Sequence, residues 1–202
     1  MVENQIAARG VRDPNVLEAM SSVPRQCFIA EDLRDRAYED TPLPIGEGQT
    51  ISQPFIVAYM IEAARITPGA RALEVGAGCG YAAAVMSRIA GSVHAIERHA
   101  SLGRAAAERL RFLGYDNVEL RVADGTKGWP DAAAFDAIVV SAGGTTVPQA
   151  LKDQLAPDGV LVMPVGRNEG NQRLLRLRRN ADGNFAQEDL GGVAFVPLIG
   201  EE

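Results

Sequence analysis

Cysteine is nearly absent from this 202-residue chain, with Cys27 and Cys79 the only two. Neither has a second cysteine or a histidine at ligand spacing. That excludes the usual zinc-binding patterns and a disulfide framework as the source of stability. Histidine is equally scarce: His94 and His99 stand around a strand end with no carboxylate at matching spacing. They read as packing or surface residues, and no metal site is expected. No stretch approaches the ~20 apolar residues of a membrane helix. The opening MVENQIAARGV lacks the apolar centre of a signal peptide. A cytoplasmic protein with no membrane partner is expected. An excess of basic charge is missing as well. The net charge is −6, whereas a nucleic-acid enzyme usually carries a basic footprint. The one arginine-rich stretch, Arg173, Arg176, Arg178 and Arg179, falls on a strand-like segment and reads as a solvated face. Nucleic acid is therefore not an expected partner.

What remains is ordinary globular composition, 47% hydrophobic and 23% charged, on a chain long enough to bury its own core. One domain, 1–202, is expected. Its helical and loop-rich part is 1–66, and its α/β core is 67–202. Asp13 followed by Pro14 is a helix start: a side-chain acceptor, then a ring with no N–H to satisfy. The segment 38–53 is rich in Pro and Gly but carries Tyr38, Leu43, Ile45 and Ile51 as apolar anchors, which predicts an ordered, functional loop. Ser52 is placed to cap the next helix, whose apolar stripe is Phe55, Ile56, Tyr59, Met60 and Ala63.

From residue 70 onward strands alternate with helices: strands at 72–75, 93–97, 118–122, 137–140 and 160–165, with helices at 81–90, 100–113 and 147–155. This alternation predicts a doubly wound, mostly parallel sheet covered on both faces. The tail breaks the pattern. The runs 174–177 and 193–198 have a turn signal at 180–183 between them and no helix, so they are expected to pair antiparallel.

The strongest local signal is Glu74-Val75-Gly76-Ala77-Gly78-Cys79-Gly80, at a strand-to-helix junction. Glycines there let the backbone turn tightly and approach a ligand, and the helix start offers free N–H groups. The dinucleotide spacing G-x-G-x-x-G is not met, because Tyr81 stands at its last glycine. Glu74 is awkward beside a pyrophosphate but suits a cofactor with a cationic amino group and a sulfonium. Glu97, at the end of the next strand, is placed to accept both ribose hydroxyls, a feature common to NAD and S-adenosylmethionine proteins. Asp124-Gly125 follows the third core strand on the same side of the sheet.

Over nearly its full length the chain resembles the protein-L-isoaspartate O-methyltransferases. The resemblance runs through Gln5-Ile6, Arg9-Gly10, Val23-Pro24-Arg25, Ala37-Tyr38-Glu39-Asp40, Glu74-Val75-Gly76, Ile96-Glu97-Arg98, Asp124-Gly125 and Phe195-Val196-Pro197-Leu198. Its most specific stretch is Gly48-Gln49-Thr50-Ile51-Ser52-Gln53-Pro54. It implies a Rossmann-like methyltransferase fold with an N-terminal helical extension and antiparallel C-terminal strands. It also implies methyl transfer from S-adenosylmethionine to the free α-carboxylate of L-isoaspartyl residues in damaged proteins or peptides, by a monomer. In that reading Ser52, Thr50 and Gln53 hold the substrate carboxylate. Glu74, Gly76, Ala77, Gly78, Cys79, Gly80, Glu97, Asp124 and Gly125 hold the cofactor. The chain departs from the family at Ala77 and Cys79, where Thr and Ser are common, and at Ser141-Ala142-Gly143-Gly144-Thr145-Thr146, where an Ala-rich run is common. The second departure leaves open a methyltransferase of the same fold acting on another carboxylate, a small molecule or RNA. A non-catalytic cofactor-binding module is the alternative from a different class.

Overall fold

The computed structural model describes residues 1–167 and 170–200. Among these, five strands run parallel in the order β5-β4-β3-β6-β7, formed by β3 (Arg71–Val75), β4 (Ser92–Glu97), β5 (Val118–Val122), β6 (Phe135–Val140) and β7 (Leu155–Val165). Two more strands, β8 (Gln172–Arg179) and β9 (Phe185–Val193), add antiparallel at the β7 side. A separate hairpin, β1 (Leu43–Gly46) with β2 (Gln49–Ile51), precedes the sheet.

The period of two along each core strand sends alternate side chains to opposite faces. Ala72, Ala95, Ala137, Val139, Val160 and Val162 join one apolar cluster. There they pack against α1 (Pro14–Ser22), α2 (Pro54–Ala63) and α3 (Tyr81–Ser87) through Met20, Ile61 and Met86, among others. Leu73, Val75, Ile96, Ile138, Val140, Leu161 and Met163 join a second cluster, with Trp129 and with Leu151 of α5 (Gln149–Asp153). Both faces are thus covered, as the near-continuous apolar strands require. Each fully buried Leu, Ile or Met side chain contributes roughly 1.5–3 kcal/mol. The first cluster runs from Ile6 to Phe195, so the N-terminal segment shares the core of the sheet.

Several local expectations hold. The Asp13 Oδ1 accepts from the Asn15 N–H at 2.8 Å, capping α1 with Pro14 in its first turn. Gly114, at φ 75°, ends α4 (Ala100–Phe112). His94 is a packing residue, edge-on to Trp129 at 5.1 Å and to Phe135 at 5.5 Å, and burial lowers its pKa. The arginines of β8, by contrast, lie on both sides of the strand, Arg173 and Arg178 exposed and Arg176 and Arg179 half-buried, and three have acidic partners: Arg173 with Asp189 at 2.8 Å, Arg178 with Asp158 at 2.7 Å, and Arg176 with Glu188.

Others change. Ser52 does not cap α2: Gln53 occupies that position without a side-chain cap, and Asp40 from the preceding loop accepts the Phe55 N–H at 3.0 Å instead. The helix expected over 81–90 ends at Ser87. The one expected over 147–155 is only Gln149–Asp153, because β7 begins at Leu155 and carries Asp158-Gly159 inside it as an irregularity, Asp158 at φ 61°. In the tail the second strand is Phe185–Val193. Of the run expected over 193–198, Val193 ends β9, paired with Gln172, and 194–198 lies beyond it, with Pro197 in an isolated bridge to Gly143. Sequence periodicity could not place β9, because that strand is largely exposed and its pattern is polar.

Candidate active site

Strand β3 has β4 on one side and β6 on the other, so the chain order reverses across it. Ligand crevices open at such switch points, beyond the carboxyl ends of the strands. The glycine loop leaves β3 there. Gly76, Gly78 and Gly80 have φ of 85°, 54° and 88°, the left-handed region that glycine enters without steric cost. The Gly76 and Ala77 N–H groups both donate to the Ile96 carbonyl, at 2.9 and 3.0 Å. The Gly78 N–H donates to Glu97 Oε2 at 2.8 Å, and the His99 N–H donates to Glu97 Oε1 at 2.8 Å. Glu97 thereby fixes the loop to the end of β4 and borders the crevice. Gly80 has a different task. A Cβ there would come within 3.1 Å of Leu110 Cδ1, so it seats α3 against α4, and it does not line the crevice.

Three spaces meet above this loop. A narrow cleft is bordered by Gly76, Gly78, Ile96, Glu97, Gly125 and the tail residues 196–199. A small recess beside it is bordered by Glu74, Ala77, Cys79, Tyr81 and Ser52. A groove of about 910 Å³ lies between α2 and the β9 end, bordered by Arg9, Ser52, Gln53, Phe55, Tyr59 and Phe195. Thr50 and Ser141 border all three.

The N-terminal segment holds the hairpin in place over the loop. Arg25 is fully buried and spends its guanidinium on backbone carbonyls: Nε on Ala37 at 2.6 Å, Nη1 on Ser52 at 3.0 Å, Nη2 on Thr41 at 3.2 Å. Burial lowers its pKa, opposed by Tyr81, Cys79 and Asp40. Asp40 is the second organiser. Besides the Phe55 N–H it accepts from Gln53 Nε2 at 2.7 Å and from Arg9 Nη1 at 2.6 Å. Arg9 in turn lies 3.5 Å over the Phe55 ring, which stacks on Tyr59 with centroids 5.6 Å apart. At the far end of the hairpin, the Ser101 hydroxyl donates to Glu47, joining the turn to the start of α4.

The electrostatics of the recess centre on Glu74. It is 1% exposed, Ser141 Oγ donates to its Oε1 at a long 3.4 Å, and its Oε2 has no hydrogen-bond partner among the described residues. Burial, and then the negative charge of Glu97, push its pKa up to about 8. Burial also pushes the Cys79 thiol up to about 11, so it stands as a neutral packing group. Asp124 turns its carboxylate onto its own turn, with Oδ1 accepting from the Thr126 N–H and hydroxyl at 2.9 and 2.7 Å. Its neighbour Gly125 reaches the cleft, where a Cβ would come within 2.4 Å of Val75 Cγ1.

The structure thus brings Thr50, Ser52, Gln53, Glu74, Gly76, Ala77, Gly78, Cys79, Glu97 and Gly125 around one connected space, and sets Gly80 and Asp124 behind it. It adds Ser141, Arg9, Phe55 and the tail. Ser141 lies in the stretch 141–146, which the sequence marked only as a departure from the family. Nothing local in the sequence pointed to the tail.

The model of the family Protein-L-isoaspartate(D-aspartate) O-methyltransferase matches residues 1–202. The chain belongs to this family. It is 60% identical over 199 residues to a protein-L-isoaspartate O-methyltransferase of Methylorubrum extorquens (strain PA1), covering 98% of this chain and 86% of the relative. It is 58% identical to protein-L-isoaspartate O-methyltransferase 1 of Rhodopseudomonas palustris (strain HaA2), covering all of this chain and 82% of the relative. A Plasmodium falciparum structure described as a protein-L-isoaspartate O-methyltransferase in complex with S-adenosyl-L-homocysteine superposes with a TM-score of 0.83. It is 28% identical and covers 98% of this chain and 96% of that one. The stretch 48–54, which holds β2 of the hairpin, here brings Thr50 and Ser52 to the recess beside the glycine loop.

Proposed function

We propose that this chain methylates the free α-carboxylate of L-isoaspartyl residues in damaged proteins and peptides, with S-adenosylmethionine as methyl donor. The donor occupies the cleft over Gly76 and Gly78 and the peptide occupies the groove between α2 and β9. When bound, the donor supplies an electrophilic methyl group on a positively charged sulfur. Thr50 and Ser141 mark the transfer point, because they border the cleft, the recess and the groove together. That shared border is the observation that carries the reading.

The acceptor is a carboxyl group with an ordinary pKa of roughly 4, ionised at neutral pH, so no general base is needed. The protein's contribution is orientation and exclusion of water. Ser52 and Thr50 offer neutral donors to the acceptor carboxylate, and Arg25 fixes the backbone of Ser52 through its carbonyl. A cation in direct contact would hold the nucleophile in its ground state. Arg9 is neutralised by Asp40, which leaves hydroxyls and amides to face the acceptor. Glu97 presents carboxylate oxygens at the cleft wall, suited to ribose hydroxyls. The tail 196–199 and Gly125 flank the same cleft.

The net charge of −6 favours peptides over nucleic acid as substrate. None of the described helices is long and apolar enough to cross a membrane. We take the working form to be a cytoplasmic monomer. The deciding experiment compares labelled methyl incorporation into the isoaspartyl and aspartyl forms of one peptide. The isoaspartyl form is expected to accept methyl at least a hundredfold faster. Equal labelling would assign the enzyme to another acceptor. In the same assay Ser52→Ala is expected to lose roughly ten- to a hundredfold in turnover with donor affinity kept. Unchanged turnover would remove Ser52 from the site.

A further inference from the structure

Of the two carboxyl groups at the crevice, only Glu97 has both oxygens engaged by N–H donors. Glu74 is as deeply buried, is approached by the Ser141 hydroxyl at 3.4 Å and by the Ala83 backbone N–H of α3, and keeps Oε2 unpartnered beside the recess. A buried carboxylate in that state lacks the solvation an anion requires. The Ala83 N–H offsets this only in part, and the side chains packed around it do not supply the rest. Glu97 on β4 adds a second negative charge. Cys79 in the glycine loop is neutral, and so is the Tyr81 phenol of α3, which burial pushes above its ordinary range. Thr50, Ser52 and Ser141 bring hydroxyls only. The nearby cations are committed elsewhere. Arg109 Nη1 donates to the Cys79 carbonyl at 3.0 Å, and Arg25 is held by three carbonyls.

We propose that Glu74 carries a proton in the free protein and gives it to solvent when the sulfonium donor binds, so that the site senses the donor's charge. The balance is one proton: the carboxylic acid and the cation become a carboxylate facing the cation, plus a proton in bulk water. After transfer the sulfur is neutral, the carboxylate faces one positive charge fewer, and it takes a proton back. Ser141 joins Glu74 to the proposed transfer point, so Glu74 would be the carboxyl group available to a positively charged sulfur bound there. Donor is therefore favoured over demethylated product increasingly as pH rises, and product departs with the incoming proton. Burial and Glu97 set the range, holding the free carboxyl near a pKa of about 8. This inference rests on the donor-binding site proposed above.

The test is titration calorimetry of S-adenosylmethionine and of S-adenosylhomocysteine into the whole protein at pH 7. It is run in two buffers of different ionisation enthalpy and repeated with Glu74→Gln. The expected result is release of close to one proton with the donor, clearly less with the product, and none with E74Q. The donor-to-product affinity ratio of the wild type should rise severalfold from pH 6.5 to 8.5 and stay flat in the variant. Absence of proton release by the wild type on donor binding would overturn the proposal. So would equal release with both ligands, or release undiminished in E74Q. Thermal denaturation of E74Q guards against misfolding, and Glu74→Asp, which keeps the acid, should retain proton release. Failure of the wild type to bind the donor at all would instead overturn the functional reading.

Discussion

Glu74 and Glu97 lie at the carboxyl ends of adjacent parallel strands, yet their surroundings differ in kind: Glu97 has both oxygens held by backbone N–H donors, whereas Glu74 faces a recess of neutral groups with one oxygen unpartnered. The sequence placed both at the crevice. The difference between them depends on which peptide groups turn towards each carboxylate, and that is set by the tertiary fold. It has a consequence for the ligand-free protein. Unfolded, Glu74 loses its proton near its ordinary pKa of 4.5; folded, near about 8. Between those values the folded state binds more protons than the unfolded one. The contribution is therefore fully present below pH 4.5 and is lost as pH rises through 8. Glu74→Gln removes this dependence. Without ligand, E74Q is expected to melt close to the wild type at pH 5. At pH 9 it is expected to melt several degrees higher, on the order of 1–3 kcal/mol. Scanning calorimetry of both proteins at the two pH values measures the difference, and a melting-point gap that does not grow with pH would contradict it.

The hairpin β1–β2 and helix α2 form one device, and Asp40 joins them. Proline, glycine and apolar anchors in 38–53 marked this segment as ordered and functional, which is how it is built. The expected Ser52 cap, however, is replaced by a carboxylate fifteen residues away in sequence. Local propensity ranks the residues next to a helix start and does not see an acceptor delivered across a turn. Because Asp40 satisfies Phe55 N–H, Gln53 Nε2 and Arg9 Nη1 together, its loss acts on the groove and not on the cleft. Asp40→Ala is expected to raise the KM for an isoaspartyl peptide about tenfold and to cost ~1–3 kcal/mol of stability. Donor affinity should hold within about twofold. Steady-state kinetics with donor affinity measured separately tests this, and equal losses on both ligands would show that the hairpin serves the whole site.

At the scale of the molecule, the parallel half of the sheet was legible because its inner strands β3, β4, β6 and β7 are largely buried and alternate with helices, with the half-exposed β5 at the edge. The tail was not, because it is held by contacts between parts far apart in the chain. After β9 the chain crosses back to the crevice. There the Gly143 N–H donates to the Val196 carbonyl, and the Leu198 N–H to the Gly143 carbonyl, each at 2.8 Å. Gln172 on β8, buried, grips Phe195 from both sides. Its Nε2 donates to the Phe195 carbonyl at 3.0 Å and its Oε1 accepts the Phe195 N–H at 2.7 Å. A Cβ at Gly143 would come within 2.1 Å of Gln172 Nε2. The departure at 143–144 is thus a matter of close approach: bare backbone admits the tail that walls the cleft. Gln172→Ala strands two buried backbone groups and frees residues 196–199 from their anchor, a cost of ~1–3 kcal/mol. The expected outcome is a melting point lower by several degrees and donor affinity weaker by about tenfold. Gly143→Ala, which pushes on the same amide, should move both in the same direction. A Gln172→Ala protein that binds donor as tightly as the wild type would show that the tail borders the cleft without contributing to it.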